Sequence, residues 1–185
     1  SEFVAAVLDE VKPGTVWDLG ANTGEFSELA ASRGAFVVSI DGDAACTEFI
    51  YRSLTKEKGL SVLPLTMDLA NPSPGLGWEG GERPGLLDRG PADLVLALAL
   101  LHHLVLTASI PLERIGEWLA RLSGYLVAEF VPPDDPMVKR LLRRRSEAHL
   151  SYDEETFRRV FNRHFIFLKE KTLSNGRRLF LCRKK

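Results

Sequence analysis

Short, continuous apolar runs alternate along most of the chain with stretches whose apolar residues recur at helical spacing. Val16-Trp17-Asp18-Leu19 ends at a glycine-rich turn, Phe36-Val37-Val38-Ser39-Ile40 ends at Asp41, and Val62-Leu63-Pro64-Leu65-Thr66 ends at Met67-Asp68. Residues 93–99 and 125–131 are runs of the kind found in strands buried on both faces. Helical patterns fall between them at 26–33, 44–58 and 112–122, the last expected to stop at a Ser123-Gly124 cap. This alternation predicts an α/β fold, a parallel sheet with helices on both faces. Beyond residue 133 the pattern changes. Asp135-Pro136 predicts an N-cap and first helical position, opening a helix through Arg145, and Ser151-Tyr152-Asp153-Glu154 reads as a capping box before the face Phe157, Val160, Phe161. Residues 165–173 and 177–182 flank Ser174-Asn175-Gly176, the signature of an antiparallel hairpin. Residues 71–91, rich in Gly and Pro, predict a long loop with at most a short helix around Leu86-Leu87.

Composition narrows the class. The 185 residues suit one domain over residues 1–185, and the Ser1 start fits either a trimmed chain or a domain excised from a longer protein. No apolar run reaches the roughly 18–20 residues of a membrane span, and no secretory signal is visible. Cys46 and Cys182 lie in no metal or redox spacing, which predicts neither a zinc site nor a disulfide scaffold and points to a reducing cytoplasm. The net charge of −1 conceals an asymmetry: residues 1–133 hold 9 basic against 18 acidic side chains, and residues 134–185 hold 15 against 7. The densest basic run, Lys139 to Arg145, is expected to be the solvated face of a helix, with an acidic ligand or RNA as the alternative.

The candidate chemistry sits where the apolar runs end. Asp18-Leu19-Gly20-Ala21-Asn22-Thr23-Gly24 leads from a strand into a helix, and ligands of such sheets bind at the carboxyl ends of the strands. Gly20 allows a tight turn and close backbone approach, Gly24 close packing, and Asn22 is the non-glycine residue that best tolerates a left-handed backbone. No Gly-Lys-Ser/Thr follows, so this is not a Walker loop, and GxNxG is not the GxGxxG of dinucleotide sites. Asp18 and Glu25 flank the loop, poor neighbours for a pyrophosphate and good ones for a cation such as S-adenosylmethionine. Asp41 stands where a carboxylate can accept both hydroxyls of a ribose, and Asp68 where one can accept from an adenine amino group. Taken singly, each acid can equally be a turn residue or a cap.

With these motifs in order, the chain resembles the class I S-adenosylmethionine-dependent methyltransferases from about Val11 onward. Residues 16–24 resemble the family's first motif, Ser39-Ile40-Asp41-Gly42-Asp43 the second and Met67-Asp68-Leu69 the third. Asp93-Leu94-Val95 followed by Leu101-His102-His103 resembles the string of many small-molecule members. That last segment, with Glu129-Phe130-Val131-Pro132, is similar to the nodulation-protein-like bacterial methyltransferases. The resemblance implies a three-layer, Rossmann-like sandwich whose seven-stranded, mostly parallel sheet runs 3-2-1-4-5-7-6. It implies S-adenosylmethionine as cofactor, bound by Asp18, Gly20, Ala21, Asn22, Gly24, Asp41, Gly42, Asp68, Leu69, Leu98 and Ala99. The Asn/Asp-Pro-Pro-Tyr motif of amino-group methylation is missing after the fourth strand, and the acid set of metal-dependent catechol-type members is not evident, so no metal is expected.

Three residues are candidates for catalysis. His102 and His103 follow the fourth strand, and because successive positions point differently, one at most is expected to face an acceptor; the alternative for each is a loop-capping or packing role. Glu129 lies inside an apolar run, where a carboxylate must reach a polar partner, the cleft or a sheet end. Tyr152, Asp134 and Asp135 are expected as caps and surface residues, with a place on the substrate side as the alternative, and Trp78 as a packed loop residue, with a lid residue as the alternative. The resulting expectation is methyl transfer to an oxygen or carbon of a small or medium acceptor. A methyltransferase-like binding domain without catalysis, and an RNA methyltransferase using Arg143 to Arg145, stay open; an NAD oxidoreductase would need a phosphate-friendly loop. Oligomeric state is not legible.

Overall fold

The computed structural model describes residues 2–56, 59–142 and 152–185. In chain order the elements are α1 (Glu2–Val11), β1 (Thr15–Leu19), α2 (Glu25–Ala31), β2 (Phe36–Asp41), α3 (Ala44–Lys56), β3 (Val62–Thr66), β4 (Ala92–Ala97), α4 (Leu101–Leu106), α5 (Leu112–Leu122), β5 (Ser123–Phe130), α6 (Pro136–Leu142), α7 (Glu154–Phe161), β6 (Phe165–Thr172) and β7 (Arg178–Lys184). The strands form one seven-stranded sheet in the order β3-β2-β1-β4-β5-β7-β6. Pairs from β3 through β5 are parallel, and β7 runs antiparallel to both β5 and β6. This is the expected architecture.

Burial on both faces explains the continuous apolar runs. In β4, Leu94 and Leu96 face the layer of α1 and α2, while Val95 and Ala97 face the layer of α4, α5 and α7. In β5, Val127 faces the first layer, and Leu126, Ala128 and Phe130 face the second. With both faces covered there is no polar phase to alternate with. The second layer is closed by an aromatic cluster in which Phe157 stacks on Phe161 at 4.3 Å and packs on Phe180 at 5.2 Å.

Several local expectations are corrected. Helix α1 precedes the first strand and was not expected; Val4, Val7 and Leu8 bury its inner face. Helix α4, also unexpected, occupies the Leu101-His102-His103 segment. Helix α5 passes into β5 without a loop: Ser123 is already extended at φ −134° and ψ 144°, so no glycine cap forms at Gly124. The Ser123 hydroxyl instead donates to the Leu119 carbonyl at 2.9 Å. The N-cap of α7 is Asp153, whose Oδ1 accepts the Thr156 N–H at 2.7 Å, in place of a box starting at Ser151; Ser151 lies outside the described residues. Arg143 to Arg145, and the end of α3 expected at Lys58, also lie outside them. The 71–91 segment holds two 3₁₀ turns instead of one short helix at most, at Trp78–Gly80 and Leu87–Arg89, and Trp78 is 79% exposed instead of packed. Among the described residues no helix is long and apolar enough to cross a membrane.

Candidate functional site

The strand order reverses between β1 and β4, and the chain diverges there at the carboxyl ends. Gly20 N and Ala21 N both donate to the Ile40 carbonyl, at 2.8 and 3.0 Å, so the turn after β1 stays fastened to β2. Gly20, Asn22 and Gly24 all take left-handed backbone, at φ 76°, 49° and 83°. At Gly24 a Cβ would stand 2.9 Å from Ile50 Cγ1, so α2 and α3 approach too closely for any side chain. That position is a packing residue, and it lines neither of the cavities described next.

A cleft of about 650 Å³ lies over the ends of β1 to β4, within the roughly 300–1,000 Å³ of small-molecule sites. Its walls bring together Gly20, Asn22, Asp41, Gly42, Asp68, Leu69, Leu98, Ala99 and His103, together with Cys46 and Leu104, which the sequence did not mark as site residues. Asp41 organises the floor: Oδ2 accepts the Asn22 N–H and Oδ1 the Asp43 N–H, both at 2.8 Å. Asp68 Oδ1 accepts the Ala70 N–H at 2.9 Å. Each carboxylate oxygen has a second lone pair, so both acids keep capacity to accept from a ligand.

A second cavity of about 360 Å³ shares Gly20, Asn22, Leu98 and Ala99 with the first. Asp18, Ala21, Glu25 and Glu129 line it, with Val4 from α1 and Asn175 and Arg177 from the β6–β7 turn. Asp18 is 2% exposed and accepts the Ser27 hydroxyl at 2.6 Å. Burial raises its pKa to about 6 despite that bond, with the charge of Asp41 adding to the rise. Glu129 meets its polar requirement fully: Oε2 accepts the Ala99 N–H at 2.6 Å and Oε1 faces Arg177 Nη1 at 3.4 Å. Arg177 Nε donates to Asp135 Oδ2 at 2.8 Å, and that pairing holds the Asp135 carboxyl below its usual range. Asp135 is therefore a buried cap instead of a surface residue. Arg177 carried no sequence signal beyond the demand of Glu129 for a partner.

The two histidines separate. His103 is exposed on the cleft wall, while His102 is buried, its ring centroid 4.2 Å from that of His103. Desolvation lowers the pKa of both, partial for His103 against the cleft wall and deeper for His102, whose pKa falls to about 4, so both imidazoles are neutral near pH 7. His102 lines neither cavity. Tyr152 is buried against Phe130, and burial raises the pKa of its hydroxyl; it too is no surface residue.

No protein-family model matches the chain. Among curated proteins it is 38% identical over 181 residues to the nodulation protein NoeA of Rhizobium meliloti (strain 1021), a match covering 93% of this chain. The chain spans 38% of the length of that relative. Solved structures share the fold. Magnesium protoporphyrin IX methyltransferase (ChlM) of Synechocystis PCC 6803 with bound S-adenosylhomocysteine superposes with a TM-score of 0.68 at 22% identity, over 100% of this chain and 81% of ChlM. A second structure of that enzyme holds S-adenosylmethionine. TehB of Haemophilus influenzae gives 0.69 at 16% identity, over 100% and 62% of the two chains, and WbdD gives 0.69 at 15%, over 99% and 40%.

Proposed function

We propose that this chain, which has the Rossmann-like fold of the class I S-adenosylmethionine-dependent methyltransferases, binds S-adenosylmethionine in the cleft and transfers its methyl group to an oxygen or carbon of a small or medium acceptor. The observation that carries the reading is the convergence of Asp41 and Asp68 with the left-handed Gly20–Asn22 turn on one cleft at the topological switch. The donor set fits the cofactor. Asp41 retains lone pairs for two ribose hydroxyls, Asp68 for an adenine amino group, and the turn leaves backbone open to close approach. Asp18 and Glu25 surround the adjoining cavity with negative charge suited to an ammonium and a sulfonium, and unsuited to a pyrophosphate. ChlM, which shares the fold and was crystallised with S-adenosylhomocysteine and with S-adenosylmethionine, supports the same cofactor.

When bound, the cofactor supplies an electrophilic methyl group for in-line displacement. The protein's part is to hold the acceptor in line and to take the proton that an acceptor hydroxyl releases. His103 is the candidate for that proton, being in the cleft and neutral near pH 7; buried His102 is assigned to packing.

Calorimetric titration with S-adenosylmethionine, S-adenosylhomocysteine and NAD tests the reading. Saturable binding of the first two, none of NAD, and loss of binding in Asp41→Ala are expected. A folded chain that binds none of them, or binds only NAD, overturns it.

A further inference from the structure

A single side chain on the β6–β7 hairpin ties together the segments that shape the cleft. Ala99, where the two cavities meet, takes left-handed backbone at φ 48°, a conformation that a residue with a Cβ keeps only when its surroundings hold it. Its N–H is held by Glu129 Oε2 at 2.6 Å, from the neighbouring strand. The other oxygen of that carboxylate faces Arg177, and Arg177 also holds Asp135 Oδ2. Asp135 Oδ1 accepts the Met137 N–H at 2.8 Å, capping α6. Glu129 and Asp135 are 6% and 5% exposed, so two buried carboxylates depend on one guanidinium. Removing it would leave both charges unpaired in a poorly hydrated site, with every incentive to turn away or protonate.

We infer that Arg177 is a positioning residue for the ligand cleft: through Glu129 and Asp135 it fastens the Ala99 corner, and with it the wall common to both cavities, to the β6–β7 hairpin. Glu129 acts here by orientation: it holds the backbone of Ala99 and gives up no proton. Arginine suits the position because its rigid fork can serve two carboxylates at once, which a lysine ammonium on a flexible stem does poorly. The inference rests on the methyltransferase reading only for the ligand used to probe it.

The test has two independent readouts on the full chain. The first is amide hydrogen exchange of the ligand-free protein. Arg177→Met should speed exchange at Ala99 about tenfold or more, leaving the core amide of Val95 unchanged, since local opening is uncoupled from global unfolding. Glu129→Ala should do the same, while Glu129→Gln, whose carbonyl can still accept from Ala99, should restore slow exchange. The second is affinity for S-adenosylhomocysteine, expected to weaken about tenfold in Arg177→Met, as loss of a charge-assisted hydrogen bond allows. Adding Glu129→Ala to Arg177→Met should weaken it little further. Unchanged exchange at Ala99, or equal acceleration at Ala99 and Val95, overturns the inference; Arg177→Lys serves if the methionine variant does not fold. If wild-type protein does not bind the ligand at all, the cofactor reading fails, and the exchange readout alone still decides the role of Arg177.

Discussion

Asp18 shows what a buried carboxyl on a cavity wall costs the empty fold. Its carboxyl is 2% exposed, and burial raises its pKa from 3.8 to about 6. Near pH 7 it is ionised, a desolvated negative charge on the wall of the second cavity. Because the folded pKa lies above the unfolded one, its contribution to stability is fully present below pH 4 and is lost as pH rises through about 6. The shift corresponds to about 3 kcal/mol at roughly 1.4 kcal/mol per pKa unit. His102 has the opposite sign. Its pKa falls from 6.5 to about 4, so its contribution is present above pH 6.5 and lost as pH falls through about 4. The two slopes oppose each other over one window in the wild type. Urea unfolding at pH 4.5, 5.5 and 7 should separate them: Asp18→Asn should lose stability steeply toward acid, and His102→Gln should gain it. Parallel profiles for both variants and the wild type would contradict this assignment. Gly24 gives a steric counterpart. Gly24→Ala meets Ile50 at 2.9 Å and keeps an unfavourable φ of 83°, so it should cost ~1–3 kcal/mol in the same measurement.

At the scale of elements, the caps show where local sequence decides. Asp153 accepts both the Thr156 N–H and, at 3.1 Å, the Thr156 hydroxyl, at the head of an eight-residue helix. Asp153→Ala should therefore cost about 1 kcal/mol in thermal or urea unfolding, and Asp153→Ser should recover most of it. The sequence placed that cap two residues early, because Ser151 and Glu154 have the spacing of a capping box and Asp153 stands between them. Strands were legible because both faces are buried, which leaves unbroken runs such as Leu94 to Ala97. The same property hid α4. Leu101 to Leu106 is buried at every position except His103, so six residues show no amphipathic helical period, and the sequence marked only a histidine pair following the strand. Helix α1 did carry a helical period, in Phe3, Val4, Val7, Leu8 and Val11, but preceded every motif. Of the site, the strand-end acids and the glycine turn were legible because their spacing is local. Arg177 was not, since its partners lie 48 and 42 residues away and an arginine beside a turn has no signature of its own.

For the molecule as a whole, α1 decides how the two ends of the chain close on the sheet. It packs Val4, Val7 and Leu8 on a surface that includes Val16, Leu94, Val127 and Leu181, drawn from β1, β4, β5 and β7. It is also joined to β6 by ion pairs, Lys169 to Glu10 at 2.5 Å and Lys171 to Glu2 at 3.2 Å. These two kinds of contact differ in weight. The ion-pair partners are about half exposed or more, so water and salt screen the attraction and holding long side chains costs entropy. Leu8 is 2% exposed, and its removal leaves a cavity between helix and sheet. Leu8→Ala should accordingly cost ~2–5 kcal/mol, whereas Lys169→Met should cost under about 1 kcal/mol, less still in 0.5 M salt, by urea unfolding. Since Val4 of the same helix lines the second cavity, Leu8→Ala should also weaken binding of S-adenosylhomocysteine while Lys169→Met leaves it unchanged. A Lys169→Met variant as unstable as Leu8→Ala would mean that the charged edge, and not the apolar face, seats the helix.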